Sequence, residues 1–528
     1  MNKFNNTILV ALLGVLLGVL LTLTVTKTLS ARKFDGDYNR WRKLNLILQE
    51  VEKNYVDTID KKGMTDAAVV AALAKLDPHS VYLPPVELTK SEVELSGNFE
   101  GVGITFNVPN DTAVVLNPIP GGPSEKAGLL QGDRIIRVDD VTIAGVKMPQ
   151  DSMIRLMKGP AGTKVKITVN RDGESIPFDI IRDKIPVHCV DAAFMINDTT
   201  GYIKLSKFTR TTFHEFSEAS AKLLASGMTK LVFDLRNNTG GYFDQALLLS
   251  NEFLQKGDPV VYMEGLHRPR QEFNADGRGK LKDVQIAVLI DEGTASSSEI
   301  FSGAIQDNDR GVIFGRRSFG KGLVQEPVNF TDGSGIRLTV SRFYTPSGRC
   351  IQKPYDKGYE YDIYERYVHG EMTSADRMKV DTSAIFYTMK GRRVYGGGGI
   401  IPDVFVPMDT TKASKFYIQC NRKATSVRFA QHMFDKYRSS LSTIDDFKKL
   451  DTFLENIDVA AQFLEYAATV DGIKASTGEW KETEEYMLPQ LKALVGRFSK
   501  LGDEAFNRFY LPIDDSIQAA LNHSGIIE

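Results

Sequence analysis

The chain has 528 residues, of which 42% are hydrophobic, and a formal net charge of −2 at pH 7, which allows about three or four folded domains. The near-neutral charge and the lack of any lysine or arginine run argue against a nucleic-acid partner. Three scattered cysteines and seven histidines show no metal-ligand spacing, so no metal or other cofactor is predicted, and one disulfide is allowed without an indicated pair.

The first predicted element is an apolar run from Thr7 to Thr26, interrupted only by glycine and threonine. It is long enough to cross about 30 Å of hydrocarbon as a helix. A signal peptide usually has a shorter apolar core and a small-residue cleavage site, and neither is clear here, which favours an anchor over an uncleaved signal. Lys3 precedes the run and Lys27 follows it, so the flanking charges do not decide its orientation.

Helices are predicted next. Trp41, Leu44 and Ile47 recur at a period close to 3.6 residues, and an alanine-rich helix is expected to end at Leu76. A stretch with three prolines then stops the helical pattern. It contains His79, the one histidine beside a recognisable motif, for which we predict a structural role.

Short alternating strands and glycine turns follow the helices. The stretch Gly101, Val102, Gly103, Ile104 resembles the carboxylate-binding loop of a PDZ domain, where consecutive N–H groups capture a peptide C-terminus while the peptide adds as a strand. Alone this tetrad would be weak evidence, but later stretches continue the PDZ pattern, namely Pro123 to Leu129, Gly132 to Ile136 and Val138 to Asp140. The resemblance implies recognition of an apolar substrate C-terminus.

Strands then alternate with amphipathic helices, which predicts stacked β and α layers. The expected strands are Gly201 to Lys204, Leu231 to Leu235, Ile286 to Ile290, Gly311 to Phe314 and Ile336 to Phe343, and the clearest helices are Phe213 to Ala225 and Phe243 to Leu254. After Asp409 the pattern is helical with charged outer faces and no catalytic motif. This extension is predicted to be a solvated cap or a self-association surface, with a partner-docking site as the alternative.

Small residues between a strand and a helix present one side chain at a sharp turn, and a run of three serines, Ser296, Ser297 and Ser298, stands at such a point. The local sequence alone does not decide which of the three serines would be a nucleophile. A serine becomes a nucleophile when a neighbour takes its proton. Lys321 is suited to that role if its apolar surroundings lower its pKa from about 10.4 by roughly 3 units, so that it is neutral.

Gln325 lies four residues beyond Lys321, on the same side of either a strand or a helix, and is predicted to hold the amine in place. Two other interpretations compete. The S-S-S-E sequence fits a capping box, and Gly315, Gly320 and Lys321 fit part of a phosphate-binding loop. The phosphate-binding loop lacks its required Ser or Thr, because Gly322 stands at that position.

Taken together, these motifs resemble the carboxyl-terminal processing peptidases, which are PDZ-containing Ser/Lys endopeptidases of family S41, also called tail-specific proteases. The family patterns G-[ST]-A-S-x-S-E and [ST]-[FY]-G-K-G-x-x-Q match at Ser296, Lys321 and Gln325. The resemblance implies that Ser296 is the nucleophile, Lys321 its base and Gln325 the residue that orients the lysine.

A third family pattern, D-L-R-x-N-x-G-G, matches from Asp234 to Gly241. The family uses a glycine N–H of this motif in its oxyanion hole. The resemblance therefore implies that the N–H groups of Gly241 and Ser297 bind the oxyanion, with Gly240 as an alternative to Gly241. A helix that begins near Ser297 would also aim free N–H groups at this point.

The resemblance also implies a multidomain α/β (α+β) protein with a catalytic core like that of the crotonase and Clp protease superfamily. The predicted divisions are a membrane anchor or signal at 1–30, a helical region at 31–95, an inserted PDZ domain at 96–183, the Ser/Lys protease core at 184–408 and a helical extension at 409–528. The implied site of action is the bacterial periplasm, with the chain anchored in the inner membrane.

The implied activity is cleavage of proteins near exposed C-termini through an acyl-enzyme, with no cofactor and no nucleic acid. The sequence does not decide whether the chain forms a homo-oligomer or binds a regulatory partner. Two alternatives come from other classes: a PDZ-based binding or scaffold protein whose protease site is silent, and a crotonase-like acyl-CoA enzyme. The PDZ pattern and the apolar N-terminal run argue against the acyl-CoA enzyme.

Overall fold

The computed structural model describes residues 38–108, 111–186, 188–355, 358–409 and 414–523. The chain divides into two compact units, one ending at Leu76 and one beginning at Asp77. The predicted apolar run from Thr7 to Thr26 lies outside the described residues. Among the helices that are described, none combines the length and apolarity needed to cross a bilayer.

The first unit contains two described helices, α1 (Tyr38–Asn54) and α2 (Lys61–Leu73). The carboxylate of Asp60 caps α2 by accepting the N–H of Gly63 at 3.0 Å. The helix ends at Leu73, before the predicted end at Leu76, because the following residues close a tight turn with Leu76 N–H bonded to the Leu73 carbonyl.

A small β-domain occupies residues 98–186 of the second unit. Its main sheet has the order β3-β4-β5-β7-β8, with β6 paired to β5, and a two-stranded ribbon of β2 and β9 lies beside it. Val115, Ile135 and Met153 are fully buried in its core. The elements are β2 (Asn98–Gly101), β3 (Ile104–Asn107), β4 (Ala113–Pro118), α4 (Pro123–Ala127), β5 (Arg134–Val138), β6 (Val141–Thr142), α5 (Gln150–Met157), β7 (Lys164–Arg171), β8 (Glu174–Ile181) and β9 (Asp183–Pro186).

The next domain is built on a six-stranded sheet of order β10-β11-β12-β15-β16-β21, parallel except for the edge strand β10. Strands and helices alternate as predicted, and all five predicted strands and both predicted helices are present with slightly shifted ends. The elements are β10 (Val190–Met195), β11 (Thr200–Leu205), α6 (Thr212–Ala225), β12 (Lys230–Asp234), α7 (Phe243–Phe253), β15 (Gln285–Ile290), α8 (Ser297–Asp307), β16 (Val312–Gly315) and β21 (Val404–Phe405).

A second, antiparallel sheet of the same domain has the order β1-β18-β13-β14, with β17 also paired to β18. Strand β1 lies in the proline-rich stretch where only a helix stop was predicted. It is only three residues long, so the sequence shows no alternation of apolar and polar residues. It forms because Val81 to Leu83 pair with β18. The elements are β1 (Val81–Leu83), α3 (Pro85–Ser96), β13 (Pro259–Gly265), β14 (Arg268–Asn274), β17 (Leu323–Asn329), β18 (Gly335–Tyr344), α9 (Asp362–Val368), β19 (Ile385–Tyr387) and β20 (Arg393–Tyr395).

The C-terminal extension is helical, as predicted, and has its own aromatic core that includes Phe429, Phe434 and Phe463. It also contacts both other domains of this unit. Arg134 of the small β-domain forms a 2.6 Å ion pair with Asp435 of α11. The helices are α10 (Lys415–Arg422), α11 (Thr425–Leu441), α12 (Phe447–Asn456), α13 (Val459–Val470), α14 (Thr477–Gly496), α15 (Asp503–Tyr510) and α16 (Asp515–Asn522).

The last helix, α16, covers one face of the parallel sheet. Side chains alternate across a strand, so Phe233 faces α6 to α8 whereas its neighbour Val232 faces the opposite side. On that opposite side Ile517 of α16 is buried together with Val232 and Leu289. The extension is therefore part of the fold of the parallel sheet, and not only a solvated cap.

Candidate active site

Ser296 lies at the sharp turn between β15 and α8. Its backbone has φ +56° and ψ −116°, a combination that side-chain-bearing residues rarely adopt and that is found mainly at functional sites. Its hydroxyl donates no hydrogen bond to any residue that the structure describes, while its side chain, N–H and carbonyl all take part in the cap of α8 together with Glu299. The serine hydroxyl is thus left available for chemistry.

Glu299, in the first turn of α8, joins the serine to the lysine. One of its carboxylate oxygens accepts the N–H groups of Ser296 and Lys321, at 2.8 and 2.9 Å. The other accepts the Gly320 N–H at 2.7 Å and the Ser318 hydroxyl. The side chain is fully buried, and burial raises the pKa of this carboxyl. The sequence indicated Glu299 only as part of a possible capping box, and this link between Ser296 and Lys321 was not predicted.

Lys321 stands just before β17, in the loop that Glu299 holds. Burial lowers the pKa of its amine, and the nearby positive charge of Arg337 lowers it further. The negative charges of Glu299 and Asp77 oppose this shift without reversing it. The amine forms no ion pair or hydrogen bond within the described part of the chain. A half-buried lysine in these surroundings is biased towards the neutral form that a general base requires.

Gln325 lies in β17, but its amide N–H donates to the backbone carbonyl of His79. Gln325 was predicted to lie beside Lys321 on the assumption that both residues stand in one regular element. Lys321 precedes the strand, and a register shift falls between Val324 and Gln325, which changes the side to which the following residues point. A contact between Gln325 and Lys321 therefore stays a prediction.

His79 lies against the lysine loop, although the sequence analysis gave it a structural role. Its ring packs edge-on against Phe319 and Tyr359, with centroids 6.5 and 5.5 Å apart, and is hydrogen-bonded to the Tyr359 hydroxyl. Burial, and then the positive charge of Lys321, lower the pKa of His79 to about 4. The only signal for this position was its place in a proline-rich motif far from the serine and lysine motifs.

We expect His79 to make the folded protein sensitive to acid. The unfolded chain takes up a proton at this residue near pH 6.5 and the folded chain only near about 4, so folding loses stability as the pH falls between these values. The variant His79→Gln cannot take up that proton and keeps the backbone carbonyl. Its thermal unfolding midpoint should fall less between pH 7 and pH 4.5 than that of the wild type. Identical pH dependence in both proteins would contradict this assignment.

Gly240 and Gly241 lie beside the serine turn, at the carboxyl end of β12. A Cβ on Gly240 would be 2.9 Å from the Ser296 Cβ and 2.8 Å from the Ser297 nitrogen. A Cβ on Gly241 would collide with the carbonyl oxygen of Phe208, and both glycines have positive φ, +90° and +153°. Only glycine lets the backbone come this close to the serine.

The two predicted glycine donors differ in their hydrogen bonds. The Gly240 N–H already donates to the Asn238 side chain at 2.9 Å. The N–H groups of Gly241 and Ser297 donate to none of the described residues, and the Ser297 N–H opens helix α8. Two unused donors beside one serine hydroxyl are what an oxyanion site requires.

The loop that carries these glycines is tied to the C-terminal extension through Arg236. This guanidinium forms paired hydrogen bonds with Asp234, at 2.6 and 2.9 Å, and one hydrogen bond with Asp514, at 2.9 Å; its ion-pair distance to the other Asp514 oxygen is 2.8 Å. Although burial opposes the shift, the charge of Arg236 lowers the pKa of Asp234 to about 2. Asp514 also caps α16 by accepting the N–H groups of Ser516 and Ile517.

We expect Asp514→Ser to slow catalysis more than its effect on stability explains. Serine can still cap α16 but is too short to reach Arg236, so the glycine loop should lose one of its supports. A displacement of about 1 Å in such a loop can lower kcat up to about a hundredfold, and we expect a loss of about tenfold or more in kcat with little change in KM.

The matched control is Ile517→Ala, which weakens the packing of α16 by about 2–5 kcal/mol and leaves the Asp514 carboxylate in place. At a temperature where both variants are folded, Ile517→Ala should retain the wild-type kcat. Equal kcat values for Asp514→Ser and Ile517→Ala would show that Asp514 acts only on stability.

The predicted peptide-binding residues of the small β-domain connect its ribbon to an edge strand. Gly101 ends β2, Ile104 begins β3, and Val102 and Gly103 form the turn between them, with φ +74° at Gly103. The carbonyl of Val102 accepts the N–H and the hydroxyl of Ser124. The N–H groups of Val102 and Gly103 donate to no other described residue, and β3 pairs only with β4.

No set of three or more His, Cys, Asp or Glu side chains that could ligate a metal occurs within the described ranges. The serine, the lysine and the unused N–H groups are the chemically notable features of this site. They suit an acyl transfer through a serine nucleophile.

Comparison with known proteins agrees with that class of site. The model of peptidase family S41 matches residues 199–364, and a PDZ domain model matches residues 101–181. The chain is 34% identical over 332 residues to a carboxy-terminal-processing protease of Bartonella bacilliformis, covering 62% of this chain and 76% of the relative. It is 32% identical over 317 residues to carboxy-terminal processing protease CtpA of Bacillus subtilis, covering 60% and 67%.

The protein is thus a serine-type peptidase with a PDZ domain. It belongs to peptidase family S41, and the family predicted from the motifs is confirmed. Among solved structures, a photosystem II D1 C-terminal processing protease is 27% identical, with a TM-score of 0.38, covering 71% of this chain and 88% of that one.

Proposed function

We propose that this peptidase cleaves proteins near their C-termini with Ser296 as nucleophile and Lys321 as general base. The observation that carries the assignment is Glu299, whose single buried carboxylate binds the backbone of both residues. It holds a strained serine, whose hydroxyl donates no hydrogen bond to the described residues, next to a half-buried lysine whose pKa is lowered. This pairing supplies both a nucleophile and a neutral base.

In this mechanism the Ser296 hydroxyl attacks the scissile carbonyl while the neutral Lys321 amine takes its proton. The N–H groups of Gly241 and Ser297 bind the resulting oxyanion. Lys321 then protonates the leaving amine, which frees the C-terminal fragment and leaves an acyl-enzyme. A water molecule, activated by the same lysine, hydrolyses the acyl-enzyme. Gln325 is proposed to orient Lys321, as the family motif implies.

The PDZ domain is proposed to capture the C-terminal end of the substrate. A terminal carboxylate of the substrate would accept the free N–H groups of Val102 and Gly103, at the start of β3. Gly101, the last residue of β2, leads into this turn, and Ile104 begins β3. The open edge of β3 lets the substrate add as a strand. A binding protein with a silent protease site is less favoured, because the serine, the lysine and their Glu299 link are all in place.

We propose that the catalytic core is organised like those of the crotonase and Clp protease superfamily, which its parallel sheet and flanking helices support. We also propose that residues 7–26 anchor the chain in the inner membrane, with the peptidase in the periplasm. The length and apolarity of that run support the anchor, and the family resemblance supports the compartment. Self-association or a regulatory partner remains a prediction.

The test is cleavage of an unfolded protein by the full chain in detergent. The wild type should release C-terminal fragments and should be labelled at Ser296 by a serine-directed acylating probe. Ser296→Ala and Lys321→Ala should lose cleavage, and Ser298→Ala, which removes a neighbouring hydroxyl, should still be labelled at residue 296. Labelling of a different serine, or cleavage by Ser296→Ala, would refute the assignment.

A further inference from the structure

Strand β4 of the PDZ domain lies between two cores. Side chains alternate across a strand, so Val115 is buried in the core of the PDZ domain, whereas its neighbour Leu116 packs against the aromatic core of the C-terminal extension. Beside this contact Arg134 of β5 pairs with Asp435 of α11, with 2.6 Å between the guanidinium nitrogen and the carboxylate oxygen. The sheet that carries the peptide-binding turn is therefore held against the helices of the extension.

The turn before β5 fits closely onto the same helix. The carbonyl of Gly132 accepts a hydrogen bond from the Arg438 guanidinium at 3.2 Å. A Cβ at Gly132, where φ is +82°, would collide with the ring of Phe434, so only glycine lets the backbone come this close to α11. We call the contacts of Leu116, Gly132 and Arg134 with the extension the docking contact.

The docking contact is a second attachment of the PDZ domain. The chain enters the domain through β2 and leaves it through β9, and these two strands pair over Asn98–Gly101 and Asp183–Pro186. A domain joined through one ribbon is expected to move relative to its neighbours unless another interface restrains it. The docking contact supplies that restraint at a different point of the domain.

The extension also contacts the active site. Phe434 of α11 stacks on Phe498, with ring centroids 4.7 Å apart, and both belong to the same buried cluster as Phe509 of α15. Shortly after α15, Asp514 accepts a hydrogen bond from Arg236 of the glycine loop at 2.9 Å. Close-packed cores resist deformation. The PDZ domain and the glycine loop are therefore attached to one helical core, which keeps the distance between them fixed.

We propose that the docking contact sets the position of the cleaved bond, counted from the C-terminus of the substrate. This inference rests on the proposed function, in which the PDZ turn holds the terminal carboxylate and Ser296 attacks. An extended chain spans at most about 3.3–3.6 Å per residue, so a fixed distance requires a minimum number of residues between the two sites. The effective concentration of a tethered segment is highest when its length matches the span. One cleavage position is thus favoured, and Arg134 and Asp435 are positioning residues for it.

The test uses the full chain in detergent and an unfolded polypeptide made of one repeated short sequence that ends in an apolar residue. Because every possible cleavage site then has the same local sequence, only its distance from the C-terminus differs. Mass spectrometry early in the reaction measures the lengths of the C-terminal fragments. With the wild type we expect one dominant length. The same polypeptide with an amidated C-terminus lacks the carboxylate and should give no dominant length.

The variant Asp435→Arg/Arg438→Asp reverses both charges of α11 and places an arginine opposite Arg134, at unchanged net charge. We expect the dominant fragment to lose about half or more of its share, because a released PDZ domain lets many lengths reach the serine. On a tetrapeptide anilide, which is too short to need the PDZ domain, kcat/KM should stay within about twofold of the wild type. Adding Arg134→Asp restores a pair of opposite charges and should restore the dominant length.

The matched control is Arg497→Asp/Asp503→Arg, which makes the same exchange at a 2.6 Å ion pair within the extension. It should keep the wild-type fragment pattern. Four results would overturn the role of the docking contact: no dominant length with the wild type, an unchanged pattern in the α11 variant, a spread that Arg134→Asp does not reverse, or an equal loss on the tetrapeptide.

A failure of the proposed function would look different. A wild type that cleaves neither the polypeptide nor the tetrapeptide would contradict the peptidase mechanism. An amidated polypeptide that still gives the wild-type pattern would contradict capture of the carboxylate by the PDZ turn, and with it the inference drawn from that capture.

Discussion

Replacing Lys321 by alanine is expected to lower kcat by about a thousandfold or more, since a positioned general base contributes about 10²–10⁴ and serine alone is a poor nucleophile at neutral pH. The fold should be kept, because the amine forms no ion pair among the described residues. The measurement is single-turnover cleavage of a peptide anilide, beside circular dichroism of the variant. A fully active Lys321→Ala protein would exclude the Ser/Lys mechanism.

The same lysine should control the dependence of activity on pH. Burial lowers its pKa from the usual 10.5, and only the neutral amine accepts a proton, so kcat/KM should rise with pH through an apparent pKa below 10.5.

The charge of Lys321 also has a cost for folding. Since the unfolded chain binds the proton more readily, this cost is greatest below the folded pKa and disappears as the pH rises towards 10.5. Lys321→Met should therefore be inactive and more stable than the wild type at pH 7.

Glu299→Gln is expected to have the second-largest effect, on both activity and stability. The carboxylate accepts two donors at each oxygen, and an amide can accept at only one. Two buried donors must then lose their partner, at about 1–3 kcal/mol each. Because two of the four donors are the backbones of Ser296 and Lys321, the pair should also lose its alignment, with a fall in kcat of about a hundredfold.

The matched control is Glu292→Gln, in the turn between β15 and α8. Glu292 is partly buried, whereas Glu299 is fully buried; it pairs with Arg316, at 2.8 and 3.1 Å, and does not bond the serine or the lysine. Urea unfolding and peptide cleavage should show a small loss of stability and an unchanged kcat for this variant. If Glu299→Gln behaves like Glu292→Gln, the shared carboxylate does not position the catalytic pair.

Local sequence was enough for much of the fold. The buried strands from Ile286 to Ile290 and from Leu231 to Leu235 are strongly apolar, and they are present with small shifts at their ends. Strand β1 could not be predicted, because its three residues become a strand only by pairing with β18, which lies some 250 positions later in the chain. The packing of α16 on the sheet was not predicted either, because it also depends on contacts between segments that are distant in the chain.

The active-site residues also fall into two groups, those whose roles the sequence indicated and those whose roles it did not. Ser296, Lys321, Gly241 and Ser297 stand in motifs whose residues are close in sequence. Glu299 and His79 also stand in or beside local motifs, but their roles depend on contacts with distant segments, which local sequence does not reveal: Glu299 bonds Gly320 and Lys321, and His79 bonds Tyr359. The predicted Gln325 contact assumed a regular element, and the register shift after Val324 breaks that assumption.

The position of α16 has a consequence for biosynthesis. Strands β10 to β16 and β21 are complete once residue 405 has been made, yet the face of the sheet that carries Val232 and Leu289 is covered only when Ile517 arrives. Until then the nascent chain has an open hydrophobic surface, and the glycine loop lacks its Asp514 support. The peptidase should therefore gain full activity only once its last described helix has been made and has packed on the sheet.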